Sequence, residues 1–235
     1  MADEGMLDSM GREVSYEELA QRLRGHELLP WLMDNRTLVS TEPRPRLIEG
    51  HVEVTHDLET GDGPWLLVIL GDLVTTGDLR FRTGDYATSS LLVTGSLRAR
   101  NIEYGGSARV AVDQDVVASG IIVGSNGDSE ANLGTSGTLT ARTVLLDSHT
   151  SIWAKAGSPR SVSEGFRTLI VGGRGWQEFT PDVDVGEIDL HEAMFVPEVL
   201  HRGMLDTDKA LASARAGASP FLPEVERKLK EQRGL

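Results

Sequence analysis

LLVILGDLVTTGDL, residues 66–79, carries the pattern that decides the fold. An apolar run is followed by a Gly break, an apolar position, a short gap and another apolar position. The pattern returns as LLVTGSLRARNI (91–102), ARVAVDQDVVASGI (108–121) and ANLGTSGTLTARTVLL (131–146). Gly71, Gly95, Gln114 and Gly137 hold the equivalent break, spaced 24, 19 and 23 residues apart. A period of about 22 residues matches one coil of a solenoid, not a βαβ unit or a sandwich hairpin.

A single coil offers only a few Val, Leu and Ile side chains, too little apolar surface to fold alone. Laid on its neighbour, each strand pairs in parallel and the inward residues form continuous rows. The spacing places Leu67, Ile69, Leu73 and Leu79 inside in one coil, then Leu92 or Leu91 with Val93, Leu97 and Ile102. Val110, Val112, Val116 and Ile121 follow, then Leu133, Leu139 and Val144. Glycine at the break supplies a positive φ or lets coils approach closely. Gln114 shows that a positive φ is not required in every coil. The expected fold is all-β, a single-stranded parallel β-helix (solenoid) with an N-terminal helical cap and a C-terminal mixed extension. Its segments are a disordered tail at 1–14, a helix and linker or cap at 15–50, the β-helix at 51–174 and an acidic capping extension at 175–235.

The flanks carry their own signals. Ser15 with Glu18 three positions on has capping-box spacing, and Tyr16, Leu19 and Leu23 recur at helical intervals. This amphipathic element is expected to close the end of the solenoid or lie along its side. Residues 51–58 alternate polar and apolar, a strand pattern, and TLIVGG at 168–173 reads as one more strand. Asp206 or Thr207 can cap a short helix stopped at Gly217, and Glu224–Lys230 reads as a frayed polar tail.

Composition narrows the function classes. Hydrophobic residues make up 39% of the 235, which suits a thin core, and 26 glycines suit a chain that turns repeatedly. The absence of Cys excludes a disulfide framework and thiolate metal sites. A net charge of −13 repels phosphate backbones, so nucleic acid is not an expected partner. Nor is a membrane, for no apolar run approaches the 18 or so residues of a spanning helix. The opening MADEGMLDSMG lacks the apolar core of a secretory signal, which points to the cytoplasm.

No phosphate loop, nucleophile elbow or zinc-protease spacing occurs, and no cofactor is expected. His51 with Glu53, two apart on a strand, would share a face as a metal or acid–base pair. Asp147 and His149 share that spacing, and a histidine between coils could act as the base of an acyltransferase-like β-helix. Asp113 and Asp115 offer paired carboxylates of the kind a carbohydrate-acting enzyme needs, although their place in the repeat also reads as a turn. The insertions at 82–89 and 124–130 fall at similar phase, so Asp85, Tyr86, Asn126 and Asp128 would rim one contact surface. Residues 176–208 hold nine carboxylates against one Arg. Asp182, Asp184, Glu187, Asp189 and Glu192 in that strip suit a basic partner.

The run from LLVILGDLVTTGDL to ANLGTSGTLTARTVLL resembles the LxVxGDL-type coils of a largely uncharacterised bacterial family, distantly similar to bactofilin-like polymer-forming parallel β-helices. The closing DTDKALASARAGASPFLP is similar to that family's last segment. The resemblance implies coil architecture and, through some members that look like toxin-immunity proteins, an acidic inhibitor. Unlike bactofilins, this chain carries loops and long flanks that oppose end-to-end growth. The leading expectation is a non-enzymatic binding protein with a basic protein partner, a toxin in the most concrete version. A homodimer is compatible with the chain, and a filament is not expected. The alternatives are an acyltransferase-like or carbohydrate-acting β-helix enzyme and a structural polymer.

Overall fold

The computed structural model describes residues 5–34, 43–84, 87–127, 131–146, 150–155, 160–161, 167–170 and 187–232. A short 3-10 turn at Leu7–Ser9 leads into β1 (Arg12–Glu13), helix α1 (Tyr16–Arg22) and helix α2 (Leu29–Asp34). Coils of three strands follow. The first holds β2 (Pro45–Glu49), β3 (Val52–Val54) and β4 (Leu58–Glu59), and the second β5 (Leu66–Leu70), β6 (Leu73–Thr75) and β7 (Leu79–Phe81). The third holds β8 (Ser89–Val93), β9 (Leu97–Ala99) and β10 (Ile102–Gly106), and the fourth β11 (Ala108–Val112), β12 (Val116–Ala118) and β13 (Ile121–Gly127). The fifth holds β14 (Ala131–Thr135), β15 (Leu139–Ala141) and β16 (Thr143–Leu146), and the sixth β17 (Thr150–Ala154), β18 (Arg160–Ser161) and β19 (Arg167–Ile170). The C-terminal arm adds α3 (Glu187–Met194), a small hairpin of β20 (Leu200–His201) and β21 (Met204–Leu205), α4 (Thr207–Arg215) and α5 (Pro223–Gln232).

Corresponding strands stack into three parallel sheets, so the chain is a parallel β-helix. Sheet I runs β2-β5-β8-β11-β14-β17, sheet II β3-β6-β9-β12-β15-β18 and sheet III β4-β7-β10-β13-β16-β19. Leu73, Leu97, Val116 and Leu139 are in direct register along sheet II and all are fully buried. On sheet I the inward row is Leu67, Leu91, Val110, Leu133 and Ile152. On sheet III it is Leu58, Leu79, Ile102, Ile122 and Val144.

One expected core position shifts by one residue, with Ile122 facing the core in place of Ile121; of the pair left open, Leu91 faces the core and Leu92 does not. The neighbours are buried too, against segments packed on the outside of the solenoid. Apolar residues on both faces of a strand erase the alternation that would fix its phase.

The boundaries also move. The first coil begins at Pro45 rather than 51, because β2 pairs in parallel with β5. The alternating stretch 51–58 is not one strand; it bends at 55–57, where sheet II turns into sheet III. Residues 5–14, expected in a disordered tail, are built into the structure. Leu7 is fully buried in the central core, β1 pairs antiparallel with β2, and Met6 bridges to Glu59. Arg46 secures this plug through the carbonyls of Ser9, Met10 and Gly11 at 2.7–2.8 Å. The plug covers the lower edges of sheets I and III.

The break glycines serve close approach. A Cβ on Gly71 would lie 2.7 Å from the Gly50 carbonyl, and one on Gly95 would lie 2.7 Å from that of Gly71 and strike the Asp72 carboxylate. Neither has a positive φ. Asp72 Oδ1 in turn accepts the Ser96 N–H at 2.7 Å, and Asp115 Oδ1 accepts the Thr138 N–H at 2.9 Å. Tyr104 lies wholly inside, its hydroxyl donating to the Ser151 carbonyl at 2.8 Å.

Candidate binding faces

Three sheets give the solenoid three sides, and the chain dresses two of them itself. On the outside of sheet I, Leu47, Leu66, Val68, Leu92 and Ala111 form an apolar patch. Leu19, Leu23 and Leu32 of the N-terminal helices bury themselves against it. Each such side chain contributes about 1.5–3 kcal/mol relative to exposure. Ser15 caps α1 by accepting the Glu18 N–H at 3.1 Å, while the Glu18 carboxylate turns to Arg12 at 2.5 Å instead of completing a capping box. His26 reaches the fourth coil, with Nε2 2.6 Å from Asp113 Oδ2 and Nδ1 accepting the Leu28 N–H at 3.2 Å. The helices therefore lie along a side and do not cap an end.

The C-terminal arm dresses the outside of sheet III. Met194, Phe195, Val199, Ala210, Leu211, Phe221 and Val225 cover Ile121, Val123 and Leu145. The expected terminal cap is thus a flank packed lengthwise, and the expected frayed tail is part of helix α5. Below the apolar patch, charge takes over. Glu103 is 2% exposed and receives Arg82 through Nε at 3.0 Å and Nη2 at 2.5 Å, with Arg80 Nε 3.6 Å away. Asp208, in the first turn of α4, meets Arg80 at 3.0 Å and Arg82 at 3.3 Å. Burial opposes the Arg82 charge, but the Glu103 and Asp208 carboxylates outweigh it and hold the guanidinium above its ordinary value.

At the other end of α4, Arg215 donates to the fully buried Asp78 through Nε at 2.6 Å and to Asp57 through Nη2 at 3.0 Å. Asp78 also receives Arg100 Nε at 2.8 Å and Asn101 Nδ2 at 2.9 Å. The hydrogen bond to Asp78 raises the Arg100 value. Two ion networks thus bracket one helix, with the acid near its N-terminus and the base in its last turn, as the helix dipole favours. A buried carboxylate that holds several donors is costly to leave with too few.

The outside of sheet II is bare of described segments. Its middle column runs Glu53, Val74, Arg98, Val117 and Thr140, continued in register by Arg160. Glu53 and Arg98 are exposed, and Val74, Val117 and Thr140 are half-buried. Asp72 and Asp115 stand at the corner entering this sheet, and Arg100 and Arg142 at the corner leaving it.

The expected site residues distribute unevenly. His51 accepts the Asp72 N–H through Nδ1 at 3.1 Å and does not meet Glu53, because the corner between β2 and β3 sets its ring beside the next coil. Asp115 is a coil-to-coil ladder residue. Hydrogen bonds from the Thr138 hydroxyl and N–H hold its carboxyl below the ordinary range. Of the expected insertions, 82–89 runs from the end of β7 to the first residue of β8, and 124–130 begins inside β13, which extends to Gly127. Asp85, Tyr86, Asp128, Asp147, His149, Asp182 and Asp184 lie outside the described residues. Asn126 belongs to β13, and Glu187 and Asp189 to α3. In α3, His191 and Met194 are buried and Glu192 is exposed, and Phe195, just beyond the helix, is buried too. His191 accepts the Leu205 N–H through Nδ1 at 2.7 Å and meets the Phe195 ring edge-on, a structural role.

Among the described residues no three His, Asp or Glu side chains are grouped to hold a metal ion. No described helix is long and apolar enough to cross a membrane. No family model, curated protein or solved structure matches the chain. What the structure carries is the architecture itself, a parallel β-solenoid of the kind that repeat proteins build.

Proposed function

We propose that the protein is a non-enzymatic binding protein whose acidic C-terminal strip engages a basic protein surface. Its most concrete form is an immunity protein that neutralises a toxin. The observation that carries this reading is the mounting of α3. Three apolar or aromatic anchors, His191, Met194 and Phe195, are sunk into the flank, and Glu192 stands exposed on a helix that also holds Glu187 and Asp189. The arm is fastened to the coils at both ends of α4, so its carboxylates are carried on a preorganised support. Preorganised charge of one sign raises association rates and orients a partner of the opposite sign. The net charge of −13 extends the same field over the molecule.

The test is co-expression with the product of the adjacent gene in a growth assay. The reading expects growth to be rescued by the wild-type chain and lost with Asp189→Lys/Glu192→Lys. Rescue that is indifferent to the charge reversal would remove the strip from the interface. No rescue and no complex with that product would overturn the immunity form.

A further inference from the structure

We infer that Trp153 is a stacking platform for a neutral hexopyranose unit of an oligosaccharide, on the upper outside of sheet I. This site is independent of the acidic-strip reading, since none of its residues belongs to the C-terminal arm.

Trp153 is the one large hydrophobic side chain that stands exposed among the described residues, at 39%. It belongs to β17 in the sixth coil and pairs in register with Gly134 of β14 in the fifth. Gly134 lies inside a strand and has no positive φ, so what the position requires is the missing side chain. A glycine there marks a close approach. The approaching group is the indole. A Cβ on Gly134 would fall upon Cε2, with the two atoms bonded to it, Cζ2 and Nε1, next and equally distant. That is an approach along the ring normal. The indole therefore lies flat on the fifth coil, with one face on Gly134 and the other turned outward.

The helical layer on sheet I stops where this floor begins. Its apolar contacts run over Leu47, Leu66, Val68, Leu92 and Ala111, in the first four coils. Beyond Ala111 the same outward column continues as Gly134 and Trp153. The turn between α1 and α2 stands at the adjoining corner. There His26 reaches Asp113 of the fourth coil at 2.6 Å, and Glu27 reaches Lys155 just after β17 at 3.3 Å. On the opposite flank, two residues back along each strand, Arg109, Asn132 and Ser151 form a half-buried polar row about 7 Å away. The flat ring is thus edged on both sides by hydrogen-bonding and charged groups.

A pyranose matches that arrangement. One side of the sugar is a face of C–H groups, which the electron-rich face of an indole attracts, and its rim is hydroxyls that both donate and accept. A net charge of −13 opposes anionic ligands. Single-stranded nucleic acid also stacks on aromatic rings, but it is held by a positively charged groove. Because Gly134 seats the ring before anything binds, stacking sacrifices little side-chain freedom. One platform supports weak binding, with a Kd of about a millimolar.

Titration of the full chain with neutral hexasaccharides of glucose, mannose, galactose and N-acetylglucosamine tests the inference, read by the indole N–H resonances of its four tryptophans. Trp153→Phe identifies the Trp153 signal by its loss. At least one sugar should shift that signal in the wild-type chain at about 10 mM and leave the buried Trp65 signal in place. Saturation-transfer measurements on the same sugar should show Trp153→Ala weakening binding about tenfold or more, and Trp153→Phe weakening it less. Should Trp153→Ala fail to fold by circular dichroism, the wild-type shift and the Trp153→Phe comparison still decide. A Trp153 signal that no sugar moves, or sugar binding that a folded Trp153→Ala chain retains in full, would overturn the inference. So would a signal moved by a proline-rich peptide or an oligothymidylate and by none of the sugars.

Discussion

Arg215 closes on Asp78: Nε in the last turn of α4 stands 2.6 Å from Oδ2 of a carboxylate 137 residues earlier in the chain. The acid has no exposed surface, and its donors come from the third coil and from the arm. The contact joins a late helix to an early corner.

Asp78→Ala should cost about 3 kcal/mol, because it leaves Arg100 and Arg215 facing a partly buried gap. Arg215→Ala should cost less, since a third of that side chain is exposed and Arg100 remains with the acid. Urea unfolding measures both. Hydrogen exchange should show α4 opening before the coils in Arg215→Ala.

Adjacent residues of β12 should respond in opposite ways to the same change. Val116→Asp buries a charge in the central row and should cost about 3–5 kcal/mol. Val117→Asp, on the outer face, should stay within about 1 kcal/mol. Equal losses would contradict the assigned phase of sheet II.

Gly95→Ala should destabilise by about 1–3 kcal/mol, as its Cβ would press on the Gly71 carbonyl carbon and oxygen at 2.7 Å. Ser119→Ala, at an exposed corner, should change stability by less than about 0.5 kcal/mol. Thermal melts of the pair separate close approach from a general sensitivity to substitution.

Alkaline pH should loosen the core through Tyr104. Burial pushes this hydroxyl well above its ordinary value. Below about pH 10 both the folded and the unfolded chain hold the proton. Above that, the unfolded chain releases it while the folded chain keeps it, so the folded state binds more protons and stability falls as pH rises. Tyr104→Phe should lose the Ser151 hydrogen bond, about 1 kcal/mol at neutral pH, yet decline less steeply in alkali. A pH series of urea midpoints decides it.

The coils were legible because a repeated apolar-Gly-apolar pattern has few other physical solutions, and the row of Leu73, Leu97, Val116 and Leu139 follows from it. Phase stayed open at Leu91/Leu92 and failed at Ile121/Ile122, where burial on both sides leaves no polar partner to mark the outside. The tail misled for a different reason. Met6, Leu7 and Met10 are a few apolar residues in a stretch of acidic and small ones with no period to mark an element, and only the lower opening of the solenoid makes them necessary. Of the binding faces, the acidic strip could be read as composition. The pairing of Asp78 with Arg215, or of Arg82 with Asp208, could not, because nothing local in either segment names a partner more than a hundred residues away. Their one signal is that Asp78 and Arg100 sit at matching corners of successive coils.

The arm's return to the first two coils has a consequence for synthesis. Asp57 and Asp78 leave the ribosome well before their partner Arg215, which follows Asp78 by 137 residues. A nascent or truncated chain therefore displays Ile121, Val123 and Leu145 as a greasy stripe until the final helices arrive. Arrival of the arm is thereby converted into concealment of that stripe.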